Sequence, residues 1–144
     1  MSRSAQAPYR LARSYLVRDS DERKLFHELE SSHARHFHLT INHRNDDHFD
    51  PATNTIAWDP YSALRTTDGG RQSPALGLGH EIDHAVERAR IAARLSATPS
   101  RQYDSAEERR VITGSERHAA RTLGEDTRSD HGGATYRVAS PVER

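Results

Sequence analysis

His80 and His84 flank Glu81 in the segment His80-Glu81-Ile82-Asp83-His84, an H-E-x-x-H spacing. On a helix, residues four apart lie one above the other, about 5–6 Å apart at Cβ, so both imidazoles can reach one divalent ion. Glu81 falls beside that face, where it can act on a water held by the ion instead of binding the ion itself. Zinc in such a setting lowers the pKa of the bound water, and the glutamate takes its proton. The chain has no cysteine, which removes thiolate zinc sites, disulfides, thiol catalysis and iron–sulfur clusters. Imidazole with carboxylate suits zinc.

A catalytic zinc takes three protein ligands, so one more carboxylate or imidazole is needed. Glu107, Glu108 and Glu116 follow the motif on the next helical segment, whose apolar stripe runs through Val111, Ile112, Ala119 and Leu123. Glu108 precedes Val111 and Ile112 by three and four residues and extends that stripe, so it is the favoured ligand. Glu107 and Glu116 stay open as alternatives, and His118 and His131 are weaker ones. Glu108 also fits a plainer role, as the partner of Ser105 in a capping box.

The elements that must position these groups are legible in outline. Asp19 and Ser20 suit an N-cap, and Leu25, Phe26 and Leu29 recur at helical spacing, predicting a helix over 20–34. Phe37, Leu39 and Ile41 alternate with polar residues as in a half-buried strand, and Thr55-Ile56-Ala57-Trp58 fits a second one, stopped by Asp59-Pro60. Residues 62–73 read as a polar loop. Ser73-Pro74 signals the start of a long helix over 75–95, ended by the turn at 97–100. A further helix should run from Ser105 to Leu123, where Gly124 can terminate it. The last twenty residues read as irregular, with a short strand around 136–138. Gly77 and Gly79 inside the motif helix cost about 1 kcal/mol each relative to alanine, so something must approach closely there.

At 144 residues the chain has the length of one domain. Its 21 basic and 21 acidic residues cancel, so no net field marks it for nucleic acid or a membrane surface. No apolar run of about 18 residues exists, which excludes a transmembrane helix. Residues 1–18 hold four arginines and no acid, with no apolar stretch of a signal peptide; they are expected to form a flexible basic tail ahead of a domain over 19–144. With hydrophobic residues at 33%, the core is small and of limited stability unaided.

From Phe37 to Val138 the chain resembles the NleD-like zinc metallopeptidase effectors and the related zincin domains of polymorphic toxins. The resemblance rests on Asn54-Thr55-Ile56-Ala57-Trp58-Asp59-Pro60, Leu78-Gly79-His80-Glu81-Ile82-Asp83-His84-Ala85 and Glu107-Glu108-Arg109-Arg110-Val111-Ile112-Thr113-Gly114. The closing segment Gly124-Glu125-Asp126-Thr127-Arg128, followed by Tyr136-Arg137, belongs to it as well. It implies zinc on His80 and His84, catalysis by Glu81, a glutamate ligand mapped to Glu108, and an upstream strand along which an extended peptide can lie. It further implies secretion by a type III or type VI-like route, action on a protein in the cytoplasm of a target cell, and a secretion chaperone or immunity protein as partner. The expected architecture is α+β and zincin-like: a short antiparallel sheet beside the motif helix and a second, glutamate-bearing helix.

Remaining residues read both ways. Tyr136 and Arg128 are of the type that polarises a scissile carbonyl or binds its oxyanion, against a default of surface positions. Asp83 either orients a histidine or faces solvent. Trp58 is expected to pack under the motif helix. Six histidines between positions 27 and 48 read as exposed polar positions around a strand. The function expected is a zinc endopeptidase; the alternative is a metal-stabilised interaction module without hydrolysis.

Overall fold

The computed structural model describes residues 2–31, 36–95 and 105–144, with the backbone alone at 91–95 and 105. Five helices and six short strands follow in the order α1 (Arg3–Leu16), α2 (Ser20–Ser31), β1 (His38–Ile41), β2 (His48–Asp50), β3 (Thr55–Trp58), β4 (Ser62–Arg65), β5 (Arg71–Gln72), α3 (Pro74–Leu95), α4 (Ser105–Thr113), α5 (Ser115–Leu123) and β6 (Ala134–Arg137). The class is α+β, as expected.

The first sheet has the order β1-β3-β2 and is mixed, not antiparallel: β1 pairs parallel with β3, and β2 antiparallel. The chain reverses after β1 and again after β2, so β3 runs with β1 and inserts between the two. Asn45 and Asn54, both at positive φ, serve those reversals. Leu39, Ile56 and Phe49 stand level across the three strands and share one face. That face meets Leu78 and Ile82 of α3 in the core. Trp58 is fully buried and donates from Nε1 to Pro74 O at 2.8 Å, packing under the first turn of α3 as its sequence context suggests.

The second sheet, β5-β4-β6, corrects the expectation of a loop over 62–73. Its strands are too short and polar to show alternation, and the hairpin is fixed by Thr66, whose N–H donates to Gly70 O at 2.9 Å and whose Oγ1 accepts from Gly70 N at 2.8 Å. Gly69 takes φ +90° at its tip.

Two more expectations are corrected. Where described, the segment expected as a flexible tail is helical: α1 buries Ala5, Pro8, Ala12 and Leu16. That stripe is built mainly from small residues, so it lacks the large apolar periodicity that announces a helix. Arg13 grips Glu30 of α2 through two hydrogen bonds of 2.7 Å. The helix expected over 105–123 is broken at Gly114, where φ −100° and ψ −109° leave the helical region. A Cβ there would stand 2.7 Å from Arg110 O, so glycine is what lets α5 turn away from α4. The expected turn at 97–100 and the loop at 96–104 lie outside the described residues, as does the Ser105 side chain of the capping box.

Other signals hold. Asp19 caps α2 by accepting from Glu22 N at 3.0 Å. Ser73 Oγ accepts from Leu76 N at 3.3 Å at the start of α3. Glu125 secures that start from the chain's far end, accepting from Ser73 N at 2.7 Å and Ser73 Oγ at 2.6 Å.

Candidate metal centre and cleft

α3 carries His80, Glu81 and His84 on its buried side, exposed by 2%, 7% and 1% respectively. The Nε2 atoms of His80 and His84 lie 3.0 Å apart. α4 brings Glu108 onto both: Oε2 is 2.9 Å from His80 Nε2, and Oε1 is 3.0 Å from His84 Nε2. Each imidazole is held from behind by another carboxylate. His80 Nδ1 meets Glu116 Oε1 of α5 at 2.8 Å, and His84 Nδ1 meets Glu107 Oε2 of α4 at 2.7 Å.

One tautomer of that arrangement suits a metal. A neutral imidazole whose Nδ1–H donates to a carboxylate presents a bare lone pair at Nε2. In that tautomer the two Nε2 lone pairs and the Glu108 carboxylate converge as three donors for one cation. Acceptors facing one another at 3.0 Å need positive charge between them, and a tetrahedral zinc with donors at about 2.1 Å would space them about 3.4 Å apart. The residues present fit the metal, with donors a few tenths of an ångström closer than coordination would set them. Without a metal, protons take that place. Burial opposes charge on His80, but Glu108 and Glu116 outweigh it and hold the ring up to about 10. Burial likewise opposes ionisation of Glu108, and the hydrogen bonds from His131, His80 and His84 outweigh it, holding the carboxyl well below the usual range.

The supports of this cluster are themselves paired. Arg128, buried, grips Glu116 with Nη2 at 2.7 Å and Nε at 2.8 Å, and holds its carboxyl at about 2 together with His80, against the opposing effect of burial. Arg110 joins Glu107 at 2.7 Å and Asp83 at 2.9 Å. Asp83 thus neither orients a histidine nor faces solvent: it is buried, and it ties α3 to α4 through Arg110 and to α5 through the Ser115 hydroxyl.

The candidates separate clearly. Glu108 reaches both imidazoles; Glu107 and Glu116 stand behind them. His131, at the chain's exposed approach to β6, places Nε2 3.0 Å from Glu108 Oε2 and its ring 5.5 Å from that of His80. His118 is elsewhere, on Asp19 at 2.6 Å. Arg128 reaches the cluster, but as the partner of Glu116. Tyr136 does not reach it. Successive strand residues face opposite ways, and Thr135 is the one that lines the cleft beside His80. Tyr136 turns to the other side, with the Arg71 guanidinium 5.7 Å over its ring and its hydroxyl buried without a hydrogen-bond partner among the described residues. The catalytic role expected of Tyr136 is corrected on that ground. Of the six upstream histidines, those described are exposed, and none joins a three-donor cluster among the described residues.

Beside the donors opens a cleft of about 250 Å³, walled by β4, β6, the turn after β1 and the first turns of α3. Glu81 faces it, and no hydrogen bond or ion pair engages its carboxyl among the described residues. Burial pushes that carboxyl above its ordinary value. The sequence reading missed the cleft's far wall, Asn45 and Asp47, although Gly77 was a signal for it: a Cβ on Gly77 would lie 2.7 Å from Asp47 Oδ2. Gly79 has the same explanation, with Glu22 of α2 at 2.8 Å. Comparison with protein-family models, with curated proteins and with solved structures gives no match.

Proposed function

We propose that the chain is a zinc-dependent endopeptidase of zincin-like architecture, an NleD-like effector or toxin domain that cleaves a protein in a target cell. The observation that carries the reading is the meeting of His80 Nε2, His84 Nε2 and the Glu108 carboxylate, with Glu81 unengaged beside them. A zinc ion held by these three side chains would supply Lewis acidity and acidify a water. Glu107 and Glu116 fix the two rings with their lone pairs forward. Glu81 takes a proton from the attacking water as the oxygen bonds to the carbonyl carbon, and gives it to the amide nitrogen as the C–N bond breaks. A carboxyl raised by burial suits that exchange near neutral pH. Delivery by a type III or type VI-like route, with a chaperone or immunity protein as partner, belongs to the same reading and rests on the family resemblance alone.

Metal content by elemental analysis, wild type against His80→Ala, tests the centre; cleavage of a mixed protein substrate by wild type against Glu81→Gln tests the reaction. One zinc per chain, lost in His80→Ala, and proteolysis lost in Glu81→Gln with zinc retained are the expected results.

One observation favours a second reading, the metal-stabilised interaction module. His131 stands close enough to Glu108 to become a fourth protein ligand, and a zinc with four protein ligands has no place for water. In that case His131→Ala weakens zinc binding as much as Glu108→Ala does, and the wild-type protein cleaves nothing. Under the peptidase reading His131→Ala retains the metal.

A further inference from the structure

The cleft beside Glu81 has a chemistry of its own around Asp47. Asp47 follows the turn after β1 and is anchored by one oxygen only: Oδ1 accepts from Asp59 N at 2.7 Å. Its other oxygen, Oδ2, is the atom against which Gly77 leaves room, and it has no hydrogen-bond donor among the described residues. Asn45 lines the same cleft, as do Ser62, Gln72 and Thr135, together with Leu64, Arg128 and His131. The nearest charges to Asp47 are mostly of its own sign. Burial pushes its carboxyl up to about 8, and Glu81 and Asp59 add to that rise. Arg137, which reaches Asn45 Oδ1 at 3.4 Å, is committed to Asp59 at 2.6 Å. Arg128 is committed to Glu116.

A half-buried carboxyl with one free oxygen, set among like charges in an open cleft, ionises when a cation reaches it. We propose that this cleft is a substrate subsite for a basic side chain, arginine or lysine, whose head group pairs with Asp47 Oδ2 and whose stem lies past Gly77. A space of about 250 Å³ accommodates either side chain. The subsite lies beside the donors and Glu81, so the basic residue sits at one fixed position close to the scissile bond. Gly77 is then needed twice, to admit the Asp47 carboxylate and to keep the stem's path open. The inference rests on the peptidase reading for the identity of the ligand as a peptide, and it names that peptide's class.

The test separates binding from turnover. Zinc-loaded Glu81→Gln protein is titrated with fluorescent alanine–glycine nonapeptides carrying at their centre arginine, or citrulline, its neutral isostere, and anisotropy is read. The arginine peptide should bind at least ~tenfold more tightly than the citrulline peptide, and Asp47→Asn in the same background should abolish the difference. Asparagine keeps the acceptor for Asp59 N–H, and an unchanged melting temperature certifies the fold. Equal affinities for the two peptides, or a difference that survives Asp47→Asn, overturn the subsite. Wild-type protein that cleaves no protein substrate, while the arginine preference holds and depends on Asp47, overturns the peptidase reading and leaves the subsite standing.

Discussion

Glu116 holds His80 from behind: its Oε1 lies 2.8 Å from Nδ1, while Nε2 of the same ring faces Glu108 at 2.9 Å. The two carboxylates come from α5 and α4, and the break at Gly114 is what lets them grip one imidazole on opposite sides. A single unbroken helix would set Glu108 and Glu116 about 12 Å apart along its axis, too far for both to grip one imidazole.

The ranking of the three glutamates follows. Glu108→Ala removes a donor shared by both imidazoles, whereas Glu107→Ala and Glu116→Ala remove only the group that orients one ring. Loss of such a support costs about 10–100-fold in metal affinity, and Glu108→Ala should cost more than either. Competition against a chromophoric chelator measures all three. Should Glu116→Ala strip the metal while Glu108→Ala keeps it, the assignment of ligand and support is reversed.

Under the peptidase reading Glu81 carries the proton, so replacing its carboxyl with an amide removes acid–base assistance and leaves the donors in place. Such assistance is worth about 10²–10⁴-fold, and Glu81→Gln should lower kcat/KM by at least ~100-fold with zinc stoichiometry unchanged. Proteolysis within a few-fold of wild type would assign the base elsewhere.

Much of this centre was legible because its signals are local. The i, i+4 histidines need only a helix, and the Ser73-Pro74 start supplied one. Glu108 was legible because the stripe through Val111 and Ile112 had to be buried. The wrong readings came from features without periodicity. The stripe of α1 holds alanine and proline where leucine would have announced it. β4 and β5 are held by a threonine hydroxyl and a glycine tip, and their pairing is set by distant β6. Gly114 was read as interior because a glycine within a helix and a glycine that breaks one look alike in sequence. Tyr136 failed on parity: one residue along a strand reverses its face, and only the pairing of β6 with β4 shows which face meets the cleft.

Metal and stability should be coupled. α3, α4 and α5 meet around a cluster of acceptors, and without a cation those acceptors must take up protons or separate. A ligand bound only by the native state adds RT ln(1 + [L]/Kd), about 2.7 kcal/mol at a hundredfold excess over Kd. Removing metal with EDTA should lower the melting temperature by at least ~5 °C, and added zinc should restore it. A melting curve unmoved by verified metal removal would show that the donors do not join the helices.

Glu22 offers the last prediction, a pH dependence independent of the reaction. Its side chain is fully buried against Gly79, and neither carboxylate oxygen has a hydrogen-bond partner among the described residues. Burial, with Asp83, Asp19 and Glu116 nearby, raises its carboxyl well above the ordinary 4.5. A carboxyl raised in the folded state binds its proton more tightly there than in the unfolded chain. Its contribution is therefore fully present below about pH 4.5 and is lost as pH rises through the folded value. Above that, wild type either buries an unpaired charge or unfolds locally to hydrate it. Glu22→Gln keeps the shape of the protonated carboxyl and has nothing to ionise. The variant should match wild type near pH 4.5 and exceed it increasingly toward pH 8, by roughly 3 °C or more in melting temperature. Melting curves of both proteins at half-unit steps from pH 4.5 to 8 measure the gap. A gap that stays constant across that range would mean that Glu22 does not titrate differently in the folded and unfolded chains, and that its burial against α3 is not maintained in solution.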